Sequence, residues 1–133
     1  MEITRAAARL LMVTSLGLSE RSPQAATKTD VLTAIRRMGA LQIDTINVVA
    51  RSPYLVLFTR LGSYDIRWLD ELLAEGEVFE YWAHEASFLP REDYALFRRL
   101  QLERGDWMRH WIGDHPDVTA RVLDHVRERG STR

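Results

Sequence analysis

Residues 39–62, GALQIDTINVVARSPYLVLFTRLG, decide how the rest of the chain is read. Gly39 closes a helix that precedes it, and Gly62 closes one that runs up to it. Just after Gly39, the run ALQID is short enough for a strand or a tight turn, and residues 46–60 suit a third helix. Pro53 falls inside that span as either a kink or a break. Two polar residues, Gln42 and Asp44, straddle the apolar Ile43. If the segment is extended, positions two apart project to the same side, so Gln42 and Asp44 share a face while Ile43 anchors in the core.

Toward the N-terminus, Ile3, Ala7, Leu10 and Leu11 recur at helical spacing, with Thr4 at the start and Gly17 near the end. Residues 19–28, SERSPQAATK, form a polar loop containing a proline. Val31, Leu32, Ile35 and Met38 make a second apolar stripe, with Thr29 and Asp30 as capping candidates. Toward the C-terminus, Asp65 caps a short fourth helix with Ile66, Leu69, Leu72 and Leu73 inward. Residues 77–90, EVFEYWAHEASFLP, alternate and are aromatic, which suggests a small β-hairpin or one strand and a return. Pro90 suits the first position of a helix running to about Glu103. Residues 105–116, GDWMRHWIGDHP, read as a tryptophan-rich connection, and Pro116 opens a last helix with Val118, Val122 and Val126 inward. The fold expected is mainly α with a small β component, a winged helix-turn-helix unit with additional helices. A DNA-binding version would set residues 46–60 in the major groove.

With 133 residues the chain is long enough for one domain with a core, or one and a half small ones. Its 46% hydrophobic and 28% charged residues belong to an ordinary globular protein. The absence of cysteine excludes disulfides and thiolate metal sites. No run approaches the ~20 apolar residues of a membrane span, and no cleavage pattern follows the N-terminal stretch, so a cytoplasmic location is expected. A net charge of -1 denies the chain the global basic field of a typical nucleic-acid binder. Seventeen of the eighteen basic residues are nonetheless arginine, and Lys28 is the only lysine. Arginine's planar fork suits phosphate, although GC-rich coding gives the same bias.

The stretches LQIDTINVVARSPYLVLFTRLGSYD, residues 41–65, and FEYWAHEASFLP, residues 79–90, carry a specific likeness. Together they resemble the N-terminal part of a bacterial family of tandem winged-helix DNA glycosylases, which unhook interstrand crosslinks and remove alkylated bases. The likeness runs from about Arg5 to Arg129. Family members are longer, with three winged-helix units around a DNA-binding channel and a C-terminal β domain. The resemblance therefore implies that residues 1–90 are the first winged-helix unit, carrying the motif. Residues 91–133 would be linker helices leading to a second unit absent from this sequence. It also implies double-stranded DNA with alkylated or crosslinked purines as the partner, with no membrane, cofactor or metal. One branch of the family carries Gln-apolar-Gln, the other Gln-apolar-Asp. Gln42-Ile43-Asp44 resembles the second, which acts on crosslinks and simple alkylated purines.

The residue types fit that chemistry. Breaking an N-glycosidic bond builds positive charge on the sugar, which a carboxylate held about 3–4 Å away stabilises most in the transition state. Asp44 is the candidate for that role and for taking the proton of the attacking water. Gln42, with donor and acceptor groups, suits fixing the water. A Schiff-base step is not expected, because Lys28 is the sole lysine and lies in a loop. Asn47, Arg51 and Arg60 are candidates for phosphate or groove contacts. Tyr81, Trp82 and His84 are candidates for the DNA side of the site, where aromatic faces stack on bases. Packing of Phe79, Tyr81 and Trp82 is the alternative, favoured for Trp82, while a place beside the site is favoured for His84. Arg98, Arg99, Arg104 and Arg109 form either a further basic surface or a solvated helix exterior. His84, His110, His115 and His125 lack the spacing of metal ligands. Asp44 or Thr45 equally suits capping the following helix. The alternatives to a glycosylase unit are a non-catalytic winged-helix DNA-binding or scaffold domain, and a chain that folds only with a partner.

Overall fold

The computed structural model describes residues 3–19, 25–44, 47 and 49–130, with the backbone alone at 106 and 107. The described residues form seven α-helices and a small three-stranded antiparallel sheet, consistent with a winged-helix unit. The chain divides into two compact units, Met1–Ala95 and Leu96–Arg133.

The centre of the first unit is α2, Lys28–Met38. Its start is fixed by a reciprocal cap: the Thr27 hydroxyl accepts from the Asp30 N–H at 3.3 Å, and the Asp30 carboxylate accepts from the Thr27 N–H at 2.8 Å. The helix thus begins earlier than Thr29 and Asp30 suggested as caps, and Lys28 is its first residue rather than a loop residue. Gly39 ends it with φ +75, a conformation most side chains resist. Val31, Leu32, Ala34 and Ile35 are buried, and they join Leu57, Leu69, Leu72, Leu41, Val78 and Phe88 in one core.

Helix α3 is Ser52–Leu61, not residues 46–60. Pro53 lies in its first turn, where a missing N–H and a fixed φ cost nothing, so it starts the helix instead of kinking it. Asn47 and Arg51 are joined by an antiparallel bridge, so the chain before α3 turns back on itself. The expected positions 45 and 46, like 20–24 of the polar loop, lie outside the described residues. Helix α4, Arg67–Ala74, buries Leu69 and Leu72, but Ile66 is exposed because it precedes the helix. The Asp65 carboxylate accepts from the Arg67 N–H at 3.0 Å and so still directs the start of α4.

The strands are β1 (Leu41–Gln42), β2 (Val78–Trp82) and β3 (Ala86–Pro90), in the order β1-β3-β2. Pro90 is the last residue of β3, opposite Val78, rather than the first of a helix. A 3-10 turn, Arg91–Asp93, separates it from α5, Tyr94–Arg104. The Tyr94 ring meets Phe79 edge-on, with centroids 5.3 Å apart.

Helix α1, Arg5–Ser15, starts at Thr4 as expected, and its Leu10 and Leu11 are exposed. Its C-terminal carbonyls are held by two arginines: Arg37 donates to the Thr14 carbonyl, and Arg60 Nε donates to the Leu16 carbonyl at 3.1 Å.

In the second unit, the expected tryptophan-rich connection is a helix, α6, Asp106–Asp114. Helix α7, Pro116–Arg129, opens with proline as expected. Its Val118, Val122 and Val126 are exposed instead of inward. Between the two helices, His115 stacks on Trp111 with centroids 4.5 Å apart. No helix among the described residues is long and apolar enough to cross a membrane.

Hydrogen bonds from Arg67 push the Asp65 carboxyl down to about 2. An aspartate in the unfolded chain titrates near ~3.9, so folding favours the charged form and gains stability above about pH 4. That gain disappears as the pH falls through about 2. The urea midpoint of Asp65→Asn should therefore change less than wild type between those pH values, and equal slopes would contradict the assignment.

Candidate active site

The site is built on the short strand β1 and the segment that leaves it. Leu41 is buried opposite Phe88, and Ile43 packs against the same core. Gln42 between them is exposed, and Asp44 is half-buried. The backbone stays tied to β3 one residue past the strand, since the Ile43 N–H donates to the Ala86 carbonyl at 2.7 Å.

Pairing across the sheet places other groups relative to this motif. Gln42 lies opposite Ser87, and Ser87 opposite Tyr81. Directly paired residues project to the same side, so Gln42 and Tyr81 share the face turned away from Leu41 and Phe88. Two strand spacings separate them, about 10 Å. Ser87 between them is buried, its hydroxyl donating to the Glu85 carbonyl at 2.9 Å.

Asp44 is held through its backbone. Its N–H donates to the Ser52 hydroxyl at 3.0 Å, and that hydroxyl lies 3.4 Å from the Gln42 carbonyl oxygen. Ser52 is the first residue of α3, so one side chain ties the start of a helix to both ends of the motif. Sequence reading passed over Ser52. The available signal was a hydroxyl residue immediately before a proline that starts a helix.

The other candidates are distributed differently. Arg51 sits just before α3, exposed, and its backbone pairs with that of Asn47, also exposed. Arg60 donates from Nε to the Leu16 carbonyl and from Nη1 to the Val56 carbonyl at 3.0 Å. It also lines a cleft of about 360 Å³ with Gln42, Arg37, Met38 and Val56. His84 is exposed in the turn between β2 and β3. Trp82, expected to pack, is 57% exposed, whereas Phe79 packs on Tyr94.

Lys28 lies 2.9 Å from Glu71 and 2.5 Å from Glu75. Its pKa is raised, first by the hydrogen bond to Glu75 and then by that to Glu71. Of the arginines from α5 and α6, Arg99 forms an exposed pair with Glu103 at 3.1 Å. Among the described residues, no three His, Cys, Asp or Glu side chains are grouped to hold a metal ion.

Two helices joined by a turn, α3 and α4, with an antiparallel hairpin after them and a strand before them, make up a winged helix-turn-helix. The sequence pattern of the family described as DNA glycosylase AlkZ-like matches residues 35–133, and the protein belongs to that family. No solved structure matches the chain. The family implies DNA as the substrate.

Replacing Ser52 by alanine should cost about 1 kcal/mol of stability and speed hydrogen exchange at the Asp44 amide. Ser52→Thr, which keeps the hydroxyl, should restore slow exchange. Unchanged exchange at Asp44 in Ser52→Ala would show that the hydroxyl does not hold the motif.

Proposed function

We propose that this chain is the catalytic unit of a monofunctional DNA glycosylase that hydrolyses the N-glycosidic bond of alkylated or crosslinked purines. The observation that carries this reading is the disposition of the motif. Ile43 packs on the core while Gln42 is exposed and Asp44 half-buried on either side of it. Family membership supplies the reaction class.

Asp44 and Gln42 divide the work. The bond between C1′ and the purine nitrogen breaks, and its electron pair leaves with the base. In an N7-alkylated purine those electrons neutralise a positive charge, so the base departs without a strong general acid. Asp44 stabilises the positive charge that grows on the sugar. A water oriented by the Gln42 amide then bonds to C1′, and its proton passes to the Asp44 carboxylate. Lys28 is occupied by Glu71 and Glu75, which favours water over an amine as the nucleophile.

Residues 1–90 serve as the first winged-helix unit, and residues 91–133 as helices leading to a second. Asn47, Arg51, Tyr81 and His84 meet the DNA, with Arg60 at the edge of the Gln42 cleft. The near-neutral charge makes binding by this chain alone weak and strongly salt-dependent.

The test is release of N7-methylguanine from duplex DNA. The 133-residue chain is assayed alone and joined to further winged-helix units, each with and without Asp44→Asn. Release by the longer protein should fall at least about 100-fold with Asp44→Asn. A folded longer protein with no release at all would favour a non-catalytic DNA-binding domain.

A further inference from the structure

In a helix-turn-helix, the second helix normally enters the major groove. Here that helix is α4, and its outward surface is unsuited to phosphates. Arg67, Asp70, Glu71 and Glu75 are exposed, and Asp65 stands at its start. Arg67 is taken up by Asp65, with Nε 3.0 Å from Oδ1. A second cation, Lys28, bridges Glu71 and Glu75, so two cations stand against the four carboxylates of Asp65, Asp70, Glu71 and Glu75. A duplex carries one negative charge per about 1.7 Å of its axis, so docking α4 into a groove sets like charges together.

The opposite properties gather at one end of the sheet. Trp82 is paired with Ala86, and the Ala86 carbonyl accepts from the Ile43 N–H, so Ile43, one residue past β1, stands level with Ala86 and Trp82 across the sheet. The motif therefore leaves the sheet at the same end as the hairpin turn that carries His84. The small Ala86 does not cover the neighbouring indole, which is 57% exposed. The hydrogen bond from the Asp44 N–H to Ser52 brings the start of α3 to this end, directly after exposed Arg51, with Val49 two residues earlier and 87% exposed. An apolar valine has no local reason to occupy a turn, where Gly, Asn, Asp and Pro supply the useful geometry.

We infer that this winged-helix unit meets duplex DNA through the sheet end formed by the Val49–Arg51 loop and the Trp82–His84 hairpin tip, with α4 turned away from the groove. Trp82 and Val49 present faces for bases, as exposed aromatic and apolar side chains do where a stack is opened. Arg51 and His84 flank them with phosphate donors. The inference rests on the proposed placement of DNA at the Gln42–Asp44 segment, and it adds the mode: binding by wing and loop in place of a recognition helix.

The test uses undamaged duplex, so it requires no base release. At low salt, amide shifts should move at Asp44, Asn47, Val49, Arg51 and His84 and at the Trp82 indole, while α4 amides stay in place. Trp82→Ala should weaken binding about tenfold. Arg51→Ala should lower the salt slope by about 1. The pair Glu71→Gln and Glu75→Gln should leave that slope unaltered. Shifts centred on α4, wild-type affinity in folded Trp82→Ala, or no shifts at low salt would each overturn the inference. Base release without this footprint would sink the surface and leave the chemistry standing. The footprint without release would do the reverse.

Discussion

The register of β1 on β3 is the constraint on which the site depends. Leu41 opposite Phe88 puts an apolar residue into the core, and the next residue, Gln42, must then face out. A slip of one residue would bury the Gln42 amide and expose Leu41, so burial and motif orientation are one choice. The strand has only two residues, and a ladder that short does not hold its register alone. Three things hold it: the Leu41 side chain among α2, α3 and α4, the Ile43–Ala86 hydrogen bond, and the Ser52 hydroxyl beyond the strand end.

Helix α2 supplies the surface against which that register is set. Its apolar side fills the core, and its charged residues reach outward to other elements. Lys28 ties it to α4, and Arg36 ties it to the base of the hairpin, 2.5 Å from Glu92 and 3.7 Å from Glu77. These exposed pairs add little individually to stability. Their consequence is positional: they pack cations and carboxylates onto α2, α4 and the hairpin base, away from the motif. Arg37 and Arg60 are directed to the end of α1, while both also line the cleft that holds Gln42. A chain rich in arginine thus spends much of it on holding helices.

Legibility in the sequence followed the strength of the local signal. The α2 stripe, its stop at Gly39, the hairpin and the helix opened by Pro116 were all readable, because periodicity and capping chemistry agree there. The start of α3 was misread since the apolar Ile46, Val48 and Val49 lie close ahead of it in sequence, while the deciding factor was Pro53, whose ring favours a first turn over a kink. The inward face expected for α7 depended on periodicity alone. That property states which side of a helix is apolar without stating what covers it. That Gln42 and Asp44 flank an Ile43 packed on the core was legible from spacing. Ser52 was not, because its partners are eight and ten residues away and depend on how the loop closes.

The distribution of charge explains how a chain of net charge -1 can belong to a DNA glycosylase family. Specific groove reading by a recognition helix requires that helix to present donors, and α4 presents carboxylates. A glycosylase has a different requirement, since it must bring a carboxylate to one sugar among many phosphates. A field attractive to phosphates over the whole unit would favour binding anywhere along a duplex, whereas a local contact surface beside the motif favours binding in one orientation. On that argument the carboxylates of α4 act as orientation control. In the proposed mode they make the helix-in-groove pose unfavourable and leave the sheet end, near half-buried Asp44, as the side that would turn toward DNA.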